Sequence, residues 1–132
     1  MTDVHELSLE LPASVESARA ARRAVDKLRF DQHVEAVFNL RLLITEIVGN
    51  SVRHAGLSSA DSIVLEIQIR SDQIRAQVTD RGPGFTRPVF DDAPRGTGGR
   101  GLYLVDALAD RWGAEPTPKR DGWLVWFELD LE

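Results

Sequence analysis

The chain has 132 residues, 42% hydrophobic and 28% charged, with a formal net charge of −5, which fits one ordinary globular domain spanning residues 1–132. The acidic balance argues against a broad nucleic-acid footprint, which needs a basic face. The lack of any cysteine excludes disulfides, thiolate zinc sites and cysteine nucleophiles. The opening residues Met1–Glu6 lack the basic and then apolar regions of a signal peptide. No apolar run approaches the ~18 residues of a membrane helix. The expected location is therefore cytoplasmic, with no membrane partner.

From Val4 to Leu11 the chain alternates, with Leu7, Leu9 and Leu11 against Glu6, Ser8 and Glu10, as a half-buried strand does. Ser14 is placed to cap a first helix, and the alanine- and arginine-rich run to Leu28 suits helix propensity. Asp31 can cap a longer second helix, in which Val37, Leu40, Ile44 and Ile47 recur at helical spacing, and Gly56 offers a stop. Two strands follow. Ile63, Leu65, Ile67 and Ile69 share one face of the first. Ile74, Ala76 and Val78 share the inner face of the second, a parity that carries Asp80 inward at its end.

Arg81 to Arg100 is rich in glycine and proline, and a loop of that length in a compact domain is usually functional or disordered. A third helix then carries Leu102, Val105, Leu108 and Ala109, with Gly113 expected to end it. A short strand around Glu115, a turn at Arg120-Asp121-Gly122 and a strand from Trp123 to Leu131 complete the chain. Short turns between strand pairs predict a mostly antiparallel sheet covered by helices on one face, an α+β fold.

Three segments carry chemistry. Glu46 and Asn50 are four apart on the long helix and project from nearly the same side. A carboxylate there can accept a proton, and an amide oxygen can join the oxygen shell of Mg²⁺. A solvated helix face explains the same pair more simply. Asp80-Arg81-Gly82-Pro83-Gly84 puts an acceptor at a strand end beside glycines that allow close backbone approach to a ligand, although Asp-x-Gly is common in plain turns. Gly98-Gly99-Arg100-Gly101-Leu102 leads into a helix, and backbone amides at such a start make an anion site. The alternative there is a flexible joining loop. Taken in order, the three supply a base, a metal ligand, an adenine acceptor and a phosphate cradle.

In this combination the chain resembles the GHKL superfamily of ATPases and kinases, which includes histidine-kinase catalytic domains, gyrase and heat-shock chaperone ATPases. Glu46 to Asn50 resembles its N box, Asp80 to Gly84 its G1 box, and Gly99 to Leu102 its G2 box. Asn50-Ser51-Val52-Arg53-His54-Ala55 is similar to the branch of small stand-alone bacterial anti-sigma-factor serine kinases. Chain length and the lack of a phospho-accepting helical hairpin before the domain favour that branch.

The resemblance implies a two-layer sandwich, with a mostly antiparallel mixed sheet under three main helices. It implies ATP and Mg²⁺ as ligands, Glu46 as general base toward a serine of a partner protein, and Asn50 as metal ligand. Asp80 would recognise adenine, with Gly82 and Gly84 shaping that pocket. Gly98, Gly99, Arg100, Gly101 and Leu102 would lie around the phosphates, and residues of about 85–100 would form the ATP lid. The implied partners are a sigma factor and an antagonist protein phosphorylated by this chain. Analogy alone favours a homodimer. A non-catalytic nucleotide-gated interaction module and a simple ATPase remain alternatives. Gly49 departs from the family's usual larger residue and weakens the helix by ~1 kcal/mol relative to alanine.

Arg53 and Arg100 are candidate phosphate contacts. His54 suits a helix end, and His5 and His33 read as surface residues. The basic run Arg19, Arg22, Arg23, Lys27 and Arg29 is a solvated face or a docking face for an acidic partner. Leu124 and Trp126 fall on the outward side of the last strand, as a partner surface or tucked under the Arg120 turn.

Overall fold

Among the described residues the chain forms five strands and three helices. Eight elements run β1 (His5–Pro12), α1 (Ser17–Asp26), α2 (Val34–His54), β2 (Ser62–Ile69), β3 (Gln73–Asp80), α3 (Arg100–Leu108), β4 (Arg111–Pro116) and β5 (Trp123–Asp130). They belong to a computed structural model of the chain, which describes residues 5–28, 33–54, 61–81, 100–119 and 121–131. The strand order is β1-β2-β3-β5-β4. Among the described residues all four pairings are antiparallel, which agrees with the mostly antiparallel sheet expected and leaves out only the parallel pairing that a mixed sheet would add. Antiparallel neighbours on both sides of β5 make β3 and β4 run the same way, joined through α3 with β5 between them.

Period-two burial decides which face the helices cover. Ile63, Leu65, Ile67, Ile69, Ile74, Ala76, Val78, Val125, Phe127 and Leu129 are buried on the inner face. Leu40, Leu43, Ile44, Ile47 and Val48 of α2 close the core above them. Each such side chain taken fully from water contributes about 1.5–3 kcal/mol. The longest helix packs on β2, β3 and β5 and on both other helices, and this central place sets the position of Glu46 and Asn50. An Arg41–Asp26 ion pair at 2.8 Å ties α2 to α1.

The outer face is polar and laddered. Gln68 donates to Glu6 at 3.3 Å and Gln77 to Glu66 at 2.8 Å, and each pair is directly opposite in register, the geometry in which cross-strand side chains interact. Arg75 lies 4.5 Å over the Trp126 ring. On β4, a Cβ added to Gly113 would meet the Trp126 indole at 2.6 Å. Arg75 and Gly113 therefore cover part of Trp126, which is only half-buried. Arg120, invoked as its alternative cover, lies outside the described residues.

Two boundaries differ from expectation. The first helix starts at Ser17, and its N-cap Glu16 makes no side-chain cap bond. Ser14 is spent in the preceding turn, where its carbonyl accepts the Ser17 N–H at 3.0 Å. The Ser17 hydroxyl turns back to the Pro12 carbonyl at the end of β1. The third helix ends at Leu108, and Gly113 sits inside β4. There the closely packed Trp126 indole explains the glycine better than a helix stop does. Asp31 and Gly56, the expected cap and stop of α2, lie outside the described residues. Among those residues no helix is long and apolar enough to cross a membrane.

Candidate functional site

The buried stripe of α2 runs through Leu40, Leu43, Ile44, Ile47, Val48 and Ser51. Glu46 and Asn50 flank it on one side, one turn apart and both half-buried. A residue on this rim keeps one side packed while its polar head reaches outward, which restricts a base or a ligand without desolvating it fully. Arg53, a turn beyond Asn50 and exposed, donates from Nη2 to the Asn50 Oδ1 at 3.2 Å. Its path is open because residue 49 has no side chain: a Cβ there would lie 3.2 Å from Arg53 Nη1. The glycine that departs from the family pattern therefore leaves the face along which the guanidinium lies.

Asp80 ends β3 as the strand parity predicts, on the inner face and only 7% exposed. A carboxylate this buried keeps its place only with polar company. Its register partner on β5 is Trp123, so both side chains share the inner face, where Trp123 packs on the core. Leu102 and Val105 of α3 are buried, and α3 packs on α2. Arg100 and Gly101 stand in the first turn of α3, so the helix begins inside the glycine-rich segment Gly98–Leu102. Gly82, Gly84, Gly98 and Gly99, with the expected lid, lie outside the described residues, except that Arg100 belongs to α3.

The structure thus joins Asn50 to Arg53 directly, sets Glu46 one turn away on the same helix, and packs that helix on β3, whose last residue is Asp80. The turn expected at Arg120-Asp121-Gly122 also belongs to this region through its last residue. Gly122 ends the β4–β5 turn against the Asp80 carbonyl, and only the strand register could have revealed it. A separate groove of about 460 Å³ lies between the start of α2, the end of α3 and the end of β5, lined by His33, Val34, Asn39, Leu108 and Asp130 among others. None of its lining residues is a predicted site residue.

Asn50 Oδ1 is a hard oxygen donor of the kind Mg²⁺ takes, and it accepts from the Arg53 guanidinium, which an ion at that oxygen would have to displace. Among the described residues, no group of three or more His, Asp or Glu could hold a metal alone. An ion at Asn50 would accordingly complete its shell with phosphates and water, as Mg²⁺ commonly does.

Residues 11–126 match the family described as "Histidine kinase-like ATPase domain". The Serine-protein kinase RsbW of Listeria innocua serovar 6a is 31% identical over 125 residues, covering 83% of this chain and 80% of that protein. The RsbW of Listeria monocytogenes serovar 1/2a matches at the same identity and coverage. Among solved structures, that of the RsbU and RsbW domains of Rv1364c from Mycobacterium tuberculosis superposes with a TM-score of 0.68 at 20% identity. The superposition covers 96% of this chain and 32% of the other, so this chain spans about a third of the mycobacterial one, and the likeness speaks for the fold alone.

Proposed function

The chain belongs to the histidine kinase-like ATPase domain family, and on that premise we propose that it is an ATP-dependent serine protein kinase of the anti-sigma type. The observation that carries this reading is the α2 rim, where Glu46 and Asn50 stand one turn apart and half-buried. The 31% identity to proteins named Serine-protein kinase RsbW supports the same assignment.

In this reading Asp80 accepts a hydrogen bond from the adenine amino group. Asn50 Oδ1 would hold Mg²⁺, which would supply positive charge against that of the phosphates, and the start of α3 with its preceding glycines would bind the phosphate oxygens through backbone amides. Glu46 takes the proton of the partner's serine hydroxyl as its oxygen bonds to the γ-phosphorus. The bond from that phosphorus to the bridging oxygen breaks, and ADP leaves. Positioning and charge stabilisation supply most of the rate in such transfers. The partners are a sigma factor, bound, and an antagonist protein, phosphorylated. The exposed Arg19 and Arg23 of α1, with Lys27 at its C-cap, offer a basic face to an acidic surface of one of them.

The test is transfer of radiolabel from γ-labelled ATP to a serine of candidate antagonist proteins, with the Glu46→Gln chain beside the wild type. Transfer that the substitution abolishes while ATP binding persists is the expected result. ATP binding with no transfer to any such protein would replace the kinase reading with a nucleotide-gated interaction module.

A further inference from the structure

Gly122 occupies a place that only glycine fits. A Cβ built on it would fall far inside contact distance of the Asp80 carbonyl oxygen, and would stand 3.2 Å from the carbonyl carbon and 3.4 Å from Arg81 Cα. Backbone meets backbone here, so no rotamer change relieves the clash. The register pairs Asp80 with Trp123, which puts the last residue of the turn directly against the strand end that carries the buried carboxylate.

The turn itself is latched. Thr117 N–H donates to the Gly122 carbonyl at 3.1 Å. The Thr117 hydroxyl donates to the Asp121 carboxylate at 2.8 Å and accepts the Asp121 N–H at 3.2 Å. That hydroxyl, with a further backbone hydrogen bond, holds the Asp121 carboxyl below its ordinary pKa. A continuous line of contacts therefore runs from Thr117 through Asp121 and Gly122 to Asp80.

We infer that the β4–β5 turn is a positioning device for purine recognition, in which Thr117 holds the turn and Gly122 sets the height of Asp80. The inference rests on the reading of Asp80 as the adenine acceptor. An acceptor must sit within hydrogen-bond distance of the base amino group, and a carboxylate displaced by a fraction of an ångström loses that bond first.

Calorimetric titration of the full chain with ATP and with inosine triphosphate, which lacks the amino group, tests it. The wild type should prefer ATP. Thr117→Val removes the hydroxyl half of the latch, keeps the backbone bond to Gly122 and adds no bulk against Asp80; it should cost about three- to tenfold in ATP affinity while leaving inosine triphosphate affinity unchanged. Gly122→Ala should cost about tenfold or more in ATP affinity. Gly113→Ala, which crowds the same sheet at Trp126, should lower the Tm and leave the ATP preference intact.

Equal wild-type affinity for the two nucleotides would overturn the Asp80 reading and this inference with it. A wild-type ATP preference that survives in Thr117→Val, and in any folded Gly122→Ala, would overturn the inference alone.

Discussion

Arg53 places its guanidinium on the Asn50 amide oxygen, Nη2 to Oδ1 at 3.2 Å, along the helix face that Gly49 leaves bare. A second cation approaching that oxygen meets a positive charge already there and a lone pair already in use. Mg²⁺ binding with nucleotide should therefore displace the arginine from Asn50. The Arg53→Ala chain should reach half-maximal Mg²⁺-dependent ATP binding at about two- to fivefold lower Mg²⁺, a modest effect as expected for an exposed charge. A Mg²⁺ titration at fixed ATP measures it, and an unchanged or higher requirement would count against competition at Asn50.

The same geometry decides the sign of Gly49→Ala. Glycine inside a helix costs about 0.5–1 kcal/mol relative to alanine. The new methyl would press on Arg53 Nη1 from 3.2 Å, but that atom ends a flexible, exposed side chain that can shift at small cost. The substitution should raise stability by about 0.5 kcal/mol in urea unfolding. It should also lower the Mg²⁺ requirement in the direction of Arg53→Ala, because the displaced guanidinium no longer reaches Asn50. A destabilised variant would mean that Arg53 is held more firmly than its exposure suggests.

Removing the proposed base separates binding from transfer. Glu46 is half-buried on α2 and isosteric with glutamine, so Glu46→Gln should keep the helix packed and the ATP affinity within about twofold. Loss of general-base help should slow serine phosphorylation by about 10²- to 10⁴-fold. Single-turnover transfer with saturating ATP is the measurement. Transfer at the wild-type rate would take the base role from Glu46.

Much of this arrangement was legible beforehand, for a physical reason. Strand alternation has a period of two, so the inward run Ile74, Ala76 and Val78 carries Asp80 inward as well, and the structure buries it. Helical spacing likewise put Leu40, Ile44 and Ile47 in the core, with Val37 of the same stripe only half-buried, and left Glu46 and Asn50 on the rim. What local pattern could not supply depends on contacts between distant segments. Gly113 looks like a helix stop until Trp126 packs where its side chain would be. Gly122 looks like an ordinary turn glycine until the β3–β5 register sets it on the Asp80 carbonyl. Ser14 is a fair cap by residue type, yet the chain spends it on a turn and starts the helix three residues later. The Arg53–Asn50 bond lies between these cases. Its i, i+3 spacing is local, but the bare face at Gly49 that admits it is visible only in three dimensions.

The outer face of the sheet gives a stability prediction with a defined pH direction. Glu128 accepts from Arg111 Nε at 2.6 Å and from Arg75 Nη1 at 3.0 Å, and the Arg111 and Arg75 hydrogen bonds hold its carboxyl below the ordinary glutamate pKa against the opposing effect of burial. The folded state thus binds a proton at this site less readily than the unfolded chain does. By linkage, the stabilisation is fully present above the unfolded value of roughly 4.3 and is lost as pH falls through the lower folded value. Glu128→Gln keeps the shape and removes the charge, so it should cost about 1 kcal/mol near neutral pH, in line with partly exposed charge-assisted bonds. The cost should shrink on acidification until the two chains converge where Glu128 is protonated in both states. Urea unfolding from pH 7 down to about pH 3 tests this. Stability curves that stay parallel through the acid limb would show that the Arg75–Glu128–Arg111 cluster contributes shape rather than charge.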